Sequence, residues 1–175
     1  SSTREGNRRI EIKIVDKAKE DYSKLVEEEA FDDQYKQSST PEHTFEDLIN
    51  PTAEAVPYGT ELIIESLEYE PNVITVPESA KEDLDKLAKW LNENEDIKGE
   101  IAGHTDKSGL EELNELLSEQ RAEAVYDYLI SKKVNPNQIS FQGYGSSQPI
   151  TSNKYQHGKE RNRRIAFKLL KPEEQ

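Results

Sequence analysis

Two opposite charges stand out in the stretch from residue 101 to residue 122, which reads IAGHTDKSGLEELNELLSEQRA. Asp106 follows an apolar run typical of a strand, and Arg121 lies fifteen positions later in a helical pattern. A carboxylate and a guanidinium that meet in space can form an internal salt bridge, or they can bind a ligand that carries both signs of charge. The spacing alone favours the internal salt bridge, which would tie the strand to the helix.

Other kinds of chemistry have little support in the sequence. His43, His104 and His157 are scattered and do not have the spacing of metal ligands, so His104 is best explained as a structural residue at the end of a strand. Ser108 and Ser118 lack the sequence context of a catalytic nucleophile, and the chain contains no Cys. We therefore expect no catalytic residues, no metal site and no cofactor.

The composition argues against two further classes of function. The formal net charge of -13 would repel the phosphates of a nucleic acid, so no nucleic-acid partner is expected. No apolar run approaches the ~18 residues that a membrane span requires, so we expect no membrane insertion by this chain. Because the sequence contains no Met, we expect it to be a piece of a longer precursor.

The periodicity of residues 61–171 predicts the element order β-α-β-α-β-β, typical of a two-layer α/β domain with a mixed sheet. Strands are predicted around Leu62 and Ile64, at 97–103, at 139–144 and at 165–169, the last being antiparallel or at an edge. Ser79, followed three positions later by Glu82, has the form of a capping box at the start of the first helix. The residues expected to face the core are Ala80, Leu84, Leu87, Ala88 and Leu91 in the first helix, and Leu110, Leu113, Leu117, Ala124, Val125 and Leu129 in the second.

Two local features of this region are also predicted. Ser118 has the side chain of a helix cap, so the second helical region is expected to break there and begin again. The stretch 145–161 is predicted to be a polar loop.

The first 60 residues are predicted to be an acidic extension, and residues 172–175 a short tail. Residues 1–100 hold 26 acidic and 12 basic side chains, whereas 101–175 hold 10 and 11. Alternation predicts a strand at 10–14, helical spacing predicts a helix at 17–30, and the polar stretch 31–57 is interpreted as a partly ordered linker. The segment NRRIEIK at 7–13 is similar to NRRIAFK at 162–168. Two explanations are open: the first segment is the last strand of a preceding repeat of the same domain, or both segments reach a common strand pattern independently.

A series of motifs identifies the family that this chain resembles. The motifs, in order, are Gly103-His104-Thr105-Asp106, Gly109, Asn114, Leu117-Ser118, Arg121-Ala122, Gly143-Tyr144-Gly145 and Asn162-Arg163-Arg164. They resemble the OmpA-like peptidoglycan-binding domain, with its relatives in the peptidoglycan-associated lipoprotein and in flagellar stator proteins. The resemblance covers roughly residues 61–171. It implies a non-catalytic module that binds the stem peptide of peptidoglycan through meso-diaminopimelate at the periplasmic face of the outer membrane.

The resemblance also implies which residues bind. Asp106 would accept hydrogen bonds from the ammonium of diaminopimelate, while Arg121 would bind the carboxylate on the same carbon. If a new helix began at Ser118, its free amides would add favourable potential for that carboxylate. The further residues that match binding positions of the family are Thr105, Asn114, Asn72 and Arg163, the last as one of a terminal arginine pair.

In one place the sequence departs from the family pattern. Where the family often has an aromatic residue followed by Asp, this chain has Tyr69-Glu70-Pro71, which changes one wall of the expected site. The alternative function is a protein interaction module of an envelope complex, in which a tandem domain or an envelope protein is the partner and the wall pocket is vestigial.

Overall fold

The computed structural model describes residues 43–50 and 56–171. The elements in these residues are α1 (Phe45–Ile49), β1 (Glu61–Ile63), α2 (Lys81–Glu93), β2 (Lys98–Gly103), α3 (Glu111–Ser131), β3 (Ile139–Gly143), α4 (Gln156–Asn162) and β4 (Ile165–Leu170). The strand predicted at 10–14, the helix predicted at 17–30 and the tail lie outside the described residues. Across the described part of the chain, every helix is too short or too polar to cross a bilayer.

The four strands form one mixed sheet in the order β1-β4-β2-β3. β2 and β3 are parallel and are connected by α3, whereas β4 runs antiparallel to both of its neighbours, β1 and β2. The predicted fold class, an α/β domain with a mixed sheet, is therefore confirmed. Of the two placements offered for the last strand, antiparallel is correct and edge is wrong, because β4 is inserted between β1 and β2.

Two local predictions around the helices are wrong. The stretch 145–161 is not entirely loop, because α4 begins at Gln156. Ser79 does not form a capping box: it lies inside a 3₁₀ turn, Glu78–Ala80, and its hydroxyl donates to the carbonyl of Ser66 at 3.4 Å. A capping box does occur at α1, where Thr44 and Asp47 satisfy each other's backbone amides.

The core lies between the sheet and the helices. Leu62, Ile101 and Phe167, from three adjacent strands, are fully buried. The inward face predicted for α2 is confirmed, since Ala80, Leu84, Leu87, Ala88 and Leu91 are all buried. α1 adds Phe45 and Leu48 to the same core. The predicted domain boundary at residue 61 places both residues in the extension, and that boundary remains a prediction.

The first half of α3 has the opposite polarity to the one predicted. Leu110 and Leu113, expected to face inward, are 65% and 59% exposed, while Asn114, Ser118 and Arg121 are buried. Val125 and Leu129, in the second half, are buried as predicted. A helix that buries its polar side chains and exposes its leucines is stable only if those polar groups find partners in the body of the domain.

Two glycines allow α3 to pack unusually close to the sheet at Ser118. A Cβ atom on Gly103 would lie 2.1 Å from the carbonyl oxygen of Ser118, and one on Gly143 would lie 2.4 Å from the amide nitrogen of Glu119. The Ser118 hydroxyl donates to the carbonyl of Glu115 at 2.8 Å and accepts from the amide of Gly145 at 2.9 Å. Ser118 therefore ties an unbroken 21-residue helix to the loop after β3, and the predicted helix break is wrong.

This close packing predicts the effect of adding one methyl group. Gly143→Ala should lower the free energy of unfolding by about 3 kcal/mol, because the new methyl meets helix backbone that cannot move aside. Urea denaturation followed by circular dichroism measures the change. Gln120→Ala, on the exposed side of the same helix, is the control and should stay within about 0.5 kcal/mol of the parent. Equal stability of the Gly143 variant and the control would contradict the packing account.

Candidate ligand-binding site

Arg121 lies under the loop that follows Tyr69. Its side chain is 1% exposed, its Nε donates to the carbonyl of Val73 at 2.7 Å, and its Nη2 donates to the carbonyl of Glu70 at 2.9 Å. The guanidinium carbon lies 4.5 Å from the centre of the Tyr69 ring. Among the described residues Nη1 has no hydrogen-bond partner. Burial lowers the pKa of Arg121, but a guanidinium remains charged in proteins.

Asp106 lies beyond the end of β2 and pairs with Arg163. Oδ2 of Asp106 accepts from Nη1 of Arg163 at 2.8 Å, and Oδ1 accepts from the amide of Ser108 at 2.7 Å. Burial alone would raise the pKa of Asp106, but the hydrogen bonds from Ser108 and Arg163 outweigh it and hold the pKa below its usual value. The internal Asp106 to Arg121 salt bridge is absent from the described structure, so each charge has partners of its own.

Thr105 and Asn114 are buried on the same two segments as these charges and retain hydrogen-bonding capacity. Thr105 precedes Asp106 and is 5% exposed, while Asn114 is 7% exposed and lies two turns before Arg121 on α3. Within the described residues, the Thr105 hydroxyl and the Asn114 amide nitrogen have no hydrogen-bond partner. Buried polar atoms of this kind are uncommon in folded proteins, and each calls for an explanation.

Asn72 is placed differently from the other predicted site residues. It is exposed and has a φ angle of 61°, a left-handed conformation that Asn tolerates better than most residues. The Pro71-Asn72 turn orients the carbonyls of Glu70 and Val73 toward Arg121. Asn72 therefore shapes the site through the backbone, and its side chain does not join the cluster of buried groups.

The terminal arginine pair divides between two tasks. Arg163 contacts Asp106, whereas Arg164 donates to the carbonyl of Gln148 at 3.2 Å and lies 3.5 Å from Glu61 at the start of β1. His104 lies near Glu61, as Arg164 does: it is 1% exposed, stacks on Tyr144 and lies 3.2 Å from Glu61. Of the two arginines, it is Arg163 that contacts Asp106, and its role in binding remains a prediction. His104 has the structural surroundings that were expected of it.

The predicted contribution of a helix start to the site is wrong. Because α3 runs without a break from Glu111 to Ser131, Arg121 lies in its middle, where the backbone amides bond to carbonyls one turn earlier. Free amides therefore do not assist a carboxylate at Arg121. Sequence reasoning also missed the aromatic contact of Tyr69 and the two loop carbonyls that hold the guanidinium.

Comparison with known proteins identifies the family. The model of the OmpA family matches residues 68–163, which is more than half of the chain. The chain belongs to the OmpA family. The resemblance seen in the sequence is thereby confirmed.

Several known proteins are similar to this chain over part of their length. Outer membrane protein A of Bordetella avium is 46% identical over 68 residues, covering 39% of this chain and 35% of that protein. A protein of Mycobacterium bovis named peptidoglycan-binding protein ArfA is 40% identical over 82 residues, covering 47% of this chain and 25% of the relative. The match thus spans about a third or less of these relatives.

Solved structures share the fold. The peptidoglycan-associated lipoprotein from Burkholderia pseudomallei aligns with a TM-score of 0.57 at 24% identity, covering 59% of this chain and 87% of that one. The C-terminal domain of Helicobacter pylori MotB aligns with a TM-score of 0.56 at 26% identity, covering 60% and 83%. The OmpA-like fold is therefore shown for this chain.

The environment of Asp106 predicts a pH-dependent contribution to stability. At pH 7, Asp106→Asn should lower the free energy of unfolding by about 1.5 to 3 kcal/mol, the range for hydrogen bonds to charged groups. Because the folded pKa of Asp106 is depressed, its contribution is present above the unfolded value of about 3.9 and is lost as the pH falls through the folded value. Urea titrations of parent and variant between pH 7 and pH 2.5 should show the two stabilities converging at the acidic end. A constant difference across that range would contradict this account.

Proposed function

We propose that this domain binds peptidoglycan without catalysis and anchors an envelope protein to the cell wall. The ligand is the stem peptide, held by the end of meso-diaminopimelate that carries an ammonium and a carboxylate on one carbon. This function places the domain on the periplasmic side of the outer membrane. The observation that carries the proposal is a buried guanidinium whose Nη1 has no hydrogen-bond partner among the described residues, on a helix packed against the strand that leads to a hydrogen-bonded carboxylate, Asp106.

The hydrogen bonds of Arg121 leave one edge suited to a carboxylate. Val73 and Glu70 take one donor each from Nε and Nη2, so both hydrogens of Nη1 and one of Nη2 remain for a forked contact. Since the side chain is 1% exposed, the ligand reaches this edge only after a small displacement of the loop 70–73. The loop carbonyls hold the guanidinium in the orientation that presents this edge.

Asp106 can accept an ammonium without releasing its present partners. Each carboxylate oxygen has about two lone-pair positions, and the Ser108 amide and Arg163 occupy one on each oxygen. The two remaining positions are available to the ammonium of the ligand. The Thr105 hydroxyl and the Asn114 amide nitrogen, which have no hydrogen-bond partner among the described residues, would bind further polar atoms of the peptide.

The names of the relatives support this proposal. A modest affinity for one stem peptide is sufficient because the cell wall carries many copies of it. One of the two relatives described above is named as a peptidoglycan-binding protein, and the other as an outer membrane protein. Each charge-assisted hydrogen bond contributes about 1.5 to 3 kcal/mol, which gives moderate binding to one stem peptide. Many protein copies facing a polymer of repeated sites attach far more firmly than a single contact does.

One observation favours the alternative, a protein interaction module. Leu110, just before α3, and Leu113 and Leu116 within it are exposed, as are Val73 and Ile74 of the loop over Arg121. Exposed apolar side chains that form one patch are typical of interaction sites. In that case the partner would be a protein, and the charged site beneath the loop would be vestigial.

Sedimentation with insoluble peptidoglycan separates the two functions. The parent protein should sediment with the wall, and Asp106→Asn and Arg121→Lys should bind roughly ten- to hundredfold more weakly, because each loses a charge-assisted contact or its geometry. Asp127→Asn, an exposed carboxylate on the outer side of α3, should bind like the parent. Circular dichroism confirms that each variant is folded before its binding is compared.

The outcome that contradicts the proposal is equally specific. If the folded parent stays in the supernatant, or if both site variants sediment as the parent does, the charged site does not bind the wall. Failure of the parent to sediment would favour the alternative function, a protein interaction module that binds through the exposed leucines.

A further inference from the structure

A groove of about 580 Å³ runs along the outside of the site. One wall is the segment 63–71, which leaves β1, and the other is α4 with the residues that follow it to Arg164. The groove is thus bounded by a segment rich in glutamate on one side and by a segment rich in arginine on the other.

One end of this groove touches the partners of both site charges. Tyr69 and Glu70, which contact Arg121, line it, and so does Arg163, which contacts Asp106. A peptide whose terminal amino acid lies between Asp106 and Arg121 would therefore continue along the groove. The groove is therefore the place where the rest of the stem peptide would bind.

The groove is lined by a surplus of negative charge. Arg163 is paired with Asp106, and Arg164 with Glu61, so their charges are largely compensated. The remaining charges are Arg161 on one wall and four carboxylates, those of Glu65, Glu68, Glu70 and Glu160. A further carboxylate entering the groove would meet net repulsion, whereas a neutral amide would not.

Two buried donors in the walls indicate what the groove can bind. Tyr69 and Arg164 are each 4% exposed, and among the described residues the Tyr69 hydroxyl and the Arg164 Nε have no hydrogen-bond partner. Burial raises the pKa of Tyr69 to about 12, so its hydroxyl remains a donor at neutral pH. Hydrogen-bond donors surrounded by carboxylates favour neutral acceptors, such as peptide and carboxamide oxygens, because a negatively charged acceptor would be repelled.

We propose that this groove holds the stem peptide beyond the diaminopimelate and selects peptides whose neighbouring glutamate carries a carboxamide in place of a free carboxylate. This inference rests on the proposed binding of diaminopimelate at Asp106 and Arg121. It makes Glu65, Glu68 and Glu70 specificity-determining residues.

Two synthetic tripeptides test the selection. They contain L-alanine, a γ-linked D-glutamate and meso-diaminopimelate, and differ only in whether the α-carboxyl of the glutamate is free or amidated. Isothermal titration calorimetry at low salt should show the parent binding the amidated peptide roughly fivefold more tightly, since each glutamate contributes a small screened repulsion. The triple variant Glu65→Gln, Glu68→Gln, Glu70→Gln should bind both peptides about equally.

A matched variant removes the same charge elsewhere. Glu95→Gln, Glu119→Gln and Glu123→Gln are exposed substitutions outside the groove, and together they should retain the fivefold preference. Equal affinity of the parent for the two peptides would overturn the inference while leaving the proposed function intact. Loss of the preference in the matched variant would also overturn it, because the overall charge of the protein would then be the cause. If the parent binds neither peptide, the proposed function fails and the inference fails with it.

Discussion

A guanidinium that has lost almost all of its water organises this domain. Arg121 is 1% exposed, and a buried charge without partners would cost several kcal/mol. Two carbonyls of the loop 70–73 and the face of Tyr69 compensate for that loss. The loop is ordered by the charge beneath it, and the charge is retained in the interior by the loop. In the proposed function, ligand binding is therefore linked to the conformation of this loop.

The close approach of α3 to the sheet gives this charge a fixed position. Gly103 and Gly143 leave no side chain between the strands and the helix at Ser118, so the end of β2 and the middle of α3 are held together by backbone contact. Asp106 follows β2 directly, and Arg163 reaches it from the end of α4. The resulting arrangement presents one anion and two cations from three different elements. Such a site depends on backbone packing more than on the flexible side chains themselves.

The sequence predicted the framework of the site well and its internal bonding poorly. Alternation and helical spacing identified the strand before Asp106, the helix of Arg121 and the core face of α2, because apolar residues there do face the core. The same rule fails in the first half of α3, where buried Asn114, Ser118 and Arg121 are stabilised by specific contacts. The partners of Arg121 are backbone carbonyls 48 and 51 positions away, and a carbonyl leaves no mark in a sequence because every residue has one. Ser118 shows a related ambiguity, since a hydroxyl that can cap a helix can also bond back to the preceding turn.

In the proposed function, Arg121 binds the carboxylate of diaminopimelate through its free edge after the loop 70–73 has moved slightly. The side-chain Nε–Hε signals of the arginines in a two-dimensional NMR spectrum report this binding and the loop movement, because Nε of Arg121 donates to Val73. During titration with meso-diaminopimelate, the signals of Arg121 and Arg163 should shift and saturate together, while that of Arg164, held by Gln148 and Glu61, should change little. An Arg121 signal that stays fixed at saturating ligand would contradict the account.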